Sequence, residues 1–357
     1  MEKVLLGMSG GVDSSVSAIL LKEEGYEVYG VTMQLFEGGC CNLNSDLDAK
    51  NVCRNIGIEH CIIDYRNEFK ENVINDFIEE YSKCNTPNPC IECNRYLKFG
   101  AMYNKAKALG IDYIATGHYA KIEYSDKYGR HVLKKANNIS KDQSYVLYSI
   151  PKELLPKIIF PLGQFESKDE IRNIAKEHNL KVANKPDSED ICFIPDGNYK
   201  KFLEQNSSLK PKIGNIINTN GEVLGKHNGL YNYTVGQRKG LGISYKVPLF
   251  VIGFNKERNE VIVGEESEIY KNEVFVKDVN LLLVDDIDSP IKVNVKTRYS
   301  SREAKAVIER NNLHDTSNEK DYIIKITFEE PQARITPGQS AVFYIDDIVL
   351  GGGKIIK

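Results

Sequence analysis

The hydrophobic rhythm of the chain changes twice. Up to about residue 116, short apolar runs alternate with segments of helical period. Residues 3–8 (KVLLGM), 27–33 (EVYGVTM), 58–64 (IEHCIID) and 112–116 (DYIAT) read as strands. Residues 14–24, 46–56, 67–82 and 95–109 place apolar side chains at helical spacing. Strands separated by helices predict an α/β domain with a doubly wound parallel sheet.

Beyond residue 119 the pattern loosens. Residues 121–124 and 131–135 predict a hairpin around 126–129. Ser167 and Glu170 form a capping-box signature for a helix running to about 178. A further short helix is expected over 198–205. From about 210 to 269 turns are frequent, and Asn220-Gly221 marks a hairpin. From about 273 onward, β-branched runs separated by polar turns (VKDVNLLLV, IKVNVKTRYS, AKAVIER, DYIIKITF, SAVFYID) predict a compact antiparallel β-barrel. The expected division is a catalytic α/β domain over 1–205, a small β-rich central domain over 206–270 and the barrel over 271–357.

Length and composition agree with two or three ordinary globular domains: 357 residues, 41% hydrophobic and 27% charged. No run reaches the roughly 18 uninterrupted apolar residues of a membrane span. The N-terminus has neither a signal-peptide nor a transit-peptide plan, so the cytoplasm is the expected location. A net charge of −3 argues against a protein that coats nucleic acid through bulk charge, but leaves room for a shaped RNA partner held by local patches.

The first strand runs into Ser9-Gly10-Gly11-Val12-Asp13-Ser14-Ser15, which opens the first helix. Glycines let the backbone approach a ligand closely, and free N–H groups at a helix N-terminus favour an anion. The loop is built for a phosphate, yet it is neither a Walker A sequence nor a dinucleotide fingerprint. Asp13 would repel a terminal phosphate unless a cation intervened. Met33 and Gly117, at strand ends, fall where an open α/β sheet binds its ligand.

All eight cysteines lie within the first 192 residues, a clustering that suggests thiol or metal chemistry. The stretch Asn85–Arg95 is stiffened by Pro87 and Pro89 and is expected to deliver Cys93 to a helix start. There the helix dipole, with Arg95 and Lys98, would favour a thiolate. Cys192 sits among acidic neighbours and reads as a thiol that receives a group. Cys90 and Cys93 form a C-x-x-C pair that, with Cys192 or Cys84, could ligate zinc or an iron–sulfur cluster. Cys40 and Cys41 follow the second strand, and Cys53 and Cys61 read as core residues.

The phosphate loop resembles that of the PP-loop ATP pyrophosphatases. Seven ordered motifs extend the likeness: GMSGGVDSS, TPNPCIECN, ATGHYA, KDQSY, SEDICFI, YTVGQRKGLGI and the pair Arg298-Tyr299. Together the chain resembles the tRNA-specific 2-thiouridylases of the MnmA type over essentially its full length. The resemblance implies that ATP with Mg²⁺ adenylates the C2 oxygen of the wobble uridine in tRNA. A persulfide on Cys192, supplied by a cysteine desulfurase or a sulfur-relay protein, would then deliver sulfur, and Cys93 would act as the nucleophile that resolves it. By the same resemblance Gly7, Met8, Ser9, Gly10, Gly11, Val12, Asp13, Ser14, Met33 and Gly117 would bind ATP. Asn88, Pro89 and Cys90 would meet the target base. Lys141, Asp142, Gln143, Arg298 and Tyr299 would contact tRNA.

One departure stands out. The family usually has Asp where this chain has Cys90, which puts the base contact there in question. Two other readings remain at this stage. One is a PP-loop enzyme acting on an amine, like the argininosuccinate or NAD synthetases, which needs no paired thiols. The other is a metal- or RNA-binding module without catalysis.

Overall fold

The structure, a computed structural model, describes residues 1–36, 43–186, 191–311 and 323–356. Cys40, Cys41 and the opening residues of the SEDICFI motif lie outside the described residues.

The apolar runs of the front domain form β1 (Lys3–Gly7), β2 (Glu27–Gln34), β3 (Glu59–Asp64) and β4 (Tyr113–Ala115). The next two strands, β5 (Ala120–Ser125) and β6 (Arg130–Lys135), make the expected hairpin. A two-residue strand that the sequence did not signal, β7 (Ile158–Ile159), completes a parallel sheet of order β3-β2-β1-β4-β7. Helices α1 (Val12–Glu23) and α2 (Leu43–Ile56) flank it. Val4 and Leu6 of β1 pack with Val16 and Ile19 of α1, all nearly or wholly buried. The capping box at Ser167 is complete in both directions and starts the helix Lys168–Glu177.

The helix expected from residue 95 begins earlier. Asn88 caps Pro89–Glu92 by accepting a 3.2 Å hydrogen bond from the Cys90 N–H. The helix then continues through a π-helical stretch, Cys93–Ala101, into Met102–Ala108. Pro89 occupies the first helical position, where its missing N–H costs nothing. Cys93 therefore lies a full turn inside the helix rather than at its start, and the argument that the dipole activates it weakens accordingly, since that effect falls off within the first turn.

The central region is a four-stranded sheet of order β10-β11-β8-β9. Its strands are β8 (Gly214–Asn218), β9 (Val223–His227), β10 (Phe250–Asn255) and β11 (Glu260–Gly264). The rear region is a closed barrel of β12 (Tyr270–Leu281), β13 (Ile291–Lys296), β14 (Ala304–Asn311), β15 (Ile323–Ala333), β16 (Ser340–Ile345) and β17 (Ile348–Ile355). Pairing of β12 with both β15 and β17 closes it. The sequence reading missed β17 because its Gly351-Gly352-Gly353 run looks like a turn. Each of these glycines lies so close to neighbouring backbone that an added Cβ would stand 2.4–2.8 Å from a carbonyl oxygen.

The three regions are stitched together. The hairpin β5–β6 extends the barrel sheet beside β17, helped by the 3.0 Å ion pair of Lys134 with Asp347. Among the described residues no helix is long and apolar enough to cross a membrane.

Candidate active site at the carboxyl edge of the parallel sheet

β1 ends at Gly7 and the chain turns through Gly10, whose positive φ of 71° suits glycine, before Gly11 opens α1. The loop is internally braced. The Ser14 hydroxyl lies 3.2 Å from the Gly11 carbonyl and 3.3 Å from the Ser9 N–H, and Ser15 donates to the same carbonyl at 2.8 Å. Thr32 on β2 donates to the Met8 carbonyl at 2.9 Å. Gly117, after β4, presses against α1: a Cβ there would come 2.9 Å from the Ser14 nitrogen and 3.0 Å from the Asp13 carbonyl carbon. Its missing side chain is used by the protein's own packing.

Three further side chains reach this loop, and the sequence reading assigned none of them to it. The Tyr119 hydroxyl donates to Asp13 Oδ1 at 2.7 Å. The Lys168 ammonium reaches both Asp13 oxygens, at 2.6 and 2.7 Å. Lys185 donates to the Gly10 carbonyl and to Asp48, both at 3.0 Å. Both lysines are more than 150 residues from the loop in sequence, so only the capping box that starts the Lys168 helix hinted at any structure there.

Two of the cysteines border a second apolar cluster. Cys93 is buried, and Cys192 packs half-buried against the same apolar cluster of Phe69, Phe77, Leu97, Phe193 and Phe202. Met33, at the end of β2, packs against this cluster too. Both thiols are free of disulfide bonds. Cys90 is exposed, and Asn88 and Pro89 build the turn that presents it. Cys53 is buried and its thiol is pushed up to about 12 by burial, as befits a core residue; Cys61 is exposed on β3 instead. Among the described residues no group of three His, Cys, Asp or Glu side chains is arranged to hold a metal ion.

Residues 116–119 connect the two halves. Gly117 and Tyr119 face the phosphate loop. His118, buried between Phe99 and Phe160, faces the Cys93 helix. Lys98 lies 3.4 Å from His118 Nε2, and Thr116 Oγ1 lies 2.7 Å from Nδ1. Burial first, and the Lys98 charge second, hold His118 well below its ordinary value, so the ring is neutral. A neutral ring accepts from the Lys98 ammonium at Nε2 and donates from Nδ1 to Thr116.

The three regions meet at the Cys90 loop. Thr86 donates its N–H to the Pro337 carbonyl at 2.8 Å and its hydroxyl to Thr234 at 3.2 Å. Gln339 donates to the Thr86 carbonyl at 2.6 Å. The segment that follows β6 is equally committed. Asp142 is buried and accepts from Ala136 N–H, Ser144 N–H and the Ser144 hydroxyl at 3.0, 3.2 and 2.7 Å. The Gln143 amide oxygen accepts from the Tyr119 N–H at 3.0 Å. Lys141 is half-exposed.

Profiles of known domain families match the chain from end to end. A tRNA methyl transferase HUP domain covers residues 2–196, a tRNA methyl transferase PRC-barrel domain 200–265, and an aminomethyltransferase β-barrel domain 271–355. The chain is 47% identical to the tRNA-specific 2-thiouridylase MnmA of Acetivibrio thermocellus over 364 residues, spanning 99% of each chain. It is also 47% identical to the enzyme of that name from Clostridioides difficile, over 100% of this chain and 98% of the relative. Identity to the Clostridium perfringens enzyme is 48%, over 99% and 98%. The chain belongs to the MnmA family of tRNA-specific 2-thiouridylases. Membership of this family accounts for a phosphate loop, paired thiols and three joined regions within one polypeptide.

Proposed function

We propose that this protein is an ATP-dependent tRNA-uridine 2-sulfurtransferase. The observation that supports the reading most directly is the packing of Cys93 and Cys192, 99 positions apart, against one apolar cluster beside the end of β2. An enzyme that joins an amine to an adenylated substrate has no use for such a pair.

The phosphate loop holds the triphosphate on its N–H groups and on the N-terminus of α1. Asp13 is the loop carboxylate that would face a Mg²⁺ ion bound with the nucleotide, which would screen the phosphate charge. The uridine C2 oxygen attacks the α-phosphorus, the bond to pyrophosphate breaks, and the poor leaving group becomes AMP. Cys192 carries a persulfide received from a cysteine desulfurase or a sulfur-relay protein. Its terminal sulfur bonds to C2 and AMP leaves with the C2 oxygen. The Cys93 thiolate then attacks Cys192 Sγ. The bond between Sγ and the transferred sulfur breaks, its electron pair forms the thiocarbonyl, and a Cys93–Cys192 disulfide remains for an external thiol to reduce. The apolar walls keep water from hydrolysing the adenylate. No zinc or iron–sulfur step is part of this reading. The reaction takes place in the cytoplasm, with tRNA as substrate.

The test is mass spectrometry of nucleosides from tRNA incubated with the protein, ATP, Mg²⁺ and a persulfide donor. The expected product is 2-thiouridine, formed with AMP and pyrophosphate. Pyrophosphate release that needs an amine and ignores tRNA would overturn the reading.

A further inference from the structure

The helix that carries Cys93 is held from the barrel as well as from its own region. It passes from α to π geometry at Cys93 itself, an irregularity that recurs at functional sites. Three residues around the thiol, Ile91, Glu92 and Asn94, are each tied toward the barrel. Glu92 reaches it directly: its carboxylate lies 3.6 Å from the ammonium of Lys354 on β17. Lys354 also pairs at 3.3 Å with Asp76 of the helix Asn75–Ser82. The Glu92 and Lys354 side chains are only 13% and 15% exposed, so the cluster is shielded from water. Burial pushes the Asp76 and Glu92 carboxyls up, and the Lys354 charge is the first influence that pulls them back.

Ile91 and Asn94 are tied through residues 144–150, which bond to the Cys93 helix on one side and to the barrel on the other. Toward the helix, the Asn94 amide donates to the Val146 carbonyl at 2.8 Å, and the Ser149 hydroxyl donates to the Ile91 carbonyl at 3.2 Å. Toward the barrel, the Asn280 amide on β12 donates to the Tyr148 and Ile150 carbonyls at 2.6 and 2.8 Å. The Tyr145 hydroxyl donates to the Ser340 carbonyl on β16 at 2.8 Å, and the Tyr148 hydroxyl lies 3.0 Å from that of Ser340. Asn94, Tyr145, Tyr148 and Ser149 are all buried, so a broken bond here leaves a polar group unsatisfied.

We infer that the barrel is the rear anchor of the Cys93 thiol, with Lys354 and Asn280 as positioning residues for the step in which Cys93 attacks the sulfur carrier. This rests on the reading that Cys93 resolves the bond between Cys192 and the transferred sulfur. Such an attack needs the two sulfurs in near-contact geometry, and a misplacement of about 1 Å can cost roughly 100-fold. Ties at residues 91, 92 and 94, on both sides of Cys93, oppose rotation of the helix about its axis, the motion that would swing the thiol most. The side chains that brace the phosphate loop, those of Thr32, Tyr119, Lys168 and Lys185, come from outside the barrel. Loosening the barrel ties therefore falls on sulfur transfer and spares adenylation.

The experiment compares the full-length wild type with Lys354→Met, Lys354→Arg and Asn280→Ala. One readout is a single turnover with tRNA, ATP, Mg²⁺ and a persulfide donor, following pyrophosphate and 2-thiouridine together. Lys354→Met and Asn280→Ala slow 2-thiouridine formation about 10- to 100-fold and leave pyrophosphate release within about threefold. The stalled species, with sulfur bridging Cys192 and the base, accumulates as a protein–RNA band on a non-reducing denaturing gel and disappears with dithiothreitol. A cavity of about 370 Å³ lined by Asp76, Glu92 and Lys354 leaves room for a guanidinium, so Lys354→Arg restores thiolation to within about threefold of wild type. The second readout needs no activity: iodoacetamide labelling without substrates, resolved by peptide mass spectrometry. Cys93 is buried and reacts through local opening, so its labelling rises about 10-fold in Asn280→Ala. Cys53, buried on α2, is the control for general loosening and stays within about twofold. Wild-type thiolation and Cys93 labelling in both Lys354→Met and Asn280→Ala overturn the anchor. So do pyrophosphate release that falls in step with thiolation, Cys53 labelling that rises with that of Cys93, and a Lys354→Arg variant as slow as Lys354→Met. A wild-type protein that forms no 2-thiouridine overturns the underlying reading instead, while the labelling still tests the anchor.

Discussion

Lys168 Nζ bridges the two carboxylate oxygens of Asp13, at 2.6 and 2.7 Å, from a helix 155 residues further along the chain. The sequence analysis required a cation before Asp13 could sit beside a phosphate, and Lys168 is one such cation in place. Tyr119 completes the set by donating to Oδ1. The pair is largely shielded, with the Lys168 side chain 13% exposed, so removing either partner leaves a charge poorly compensated.

Lys168→Met is therefore expected to slow tRNA-dependent pyrophosphate release by about 10- to 100-fold, the size of a lost hydrogen bond to a charged group. Asp13→Ala should be similarly slow. Because the two act as one unit, the double variant should be little worse than either single one. A double variant whose loss equals the product of the two would show that Lys168 and Asp13 act independently.

Gly117→Ala tests the packing of residues 116–119 against the loop. The new Cβ meets backbone of α1 at 2.9–3.0 Å, where no side chain can swing aside. Overpacking of this kind costs about 1–3 kcal/mol. The expected result is a lower Tm and weaker ATP binding, read by calorimetry. Because the strain falls on Asp13 and Ser14, ATP at saturating concentration should recover less of the stability than it adds to wild type. Full recovery would show that the loop is undisturbed.

Cys192→Ala separates activation from sulfur transfer. On the proposed route Cys192 enters after the adenylate forms, so pyrophosphate release on first turnover should persist within about threefold while 2-thiouridine disappears, a split that follows from effects confined to one step. Cys93→Ala should also release pyrophosphate but stall with sulfur bridging Cys192 and the base. Loss of pyrophosphate release in Cys192→Ala would place that residue in the adenylation step.

Much of this was legible in local patterns. The strand–turn–helix at residues 3–15 was readable because its signals are contiguous: an apolar run, two glycines and a helix start. The capping box at Ser167 and the hairpin at Gly221 were readable for the same reason. What escaped depends on distant approach. Lys168 and Lys185 are ordinary lysines until the fold brings them to residues 10–13. The β17 glycines gave no strand signal because a glycine forced by a neighbouring strand cannot be told from one forced by its own backbone. Pro87 and Pro89 suggested a loop up to Cys93, whereas Pro89 is the first residue of the helix. The family likeness pointed to residues 141–143 as an RNA contact. Asp142 and the Gln143 amide oxygen also accept hydrogen bonds from within the protein, which only the packing reveals.

His118 makes stability depend on pH in a direction that can be derived. Its ordinary value is 6.5 and the folded protein holds it well below that, burial being the first cause and Lys98 the second. As pH falls below about 6.5 the unfolded chain takes up a proton that the folded chain refuses, so stability drops with acidification and is unaffected above that range. The slope from one such group approaches about 1.4 kcal/mol per pH unit. His60 and His227, also lowered chiefly by burial, titrate in the same window. His118→Gln keeps an acceptor for Lys98 but has no proton to bind. Urea denaturation at pH 7.5 and 5.5 should show a smaller acid loss for this variant than for wild type, with the remainder due to the other two histidines. Equal losses in the two proteins would mean that the His118 ring is already protonated in the fold, and the neutral link between residues 116–119 and the Cys93 helix would have to be abandoned.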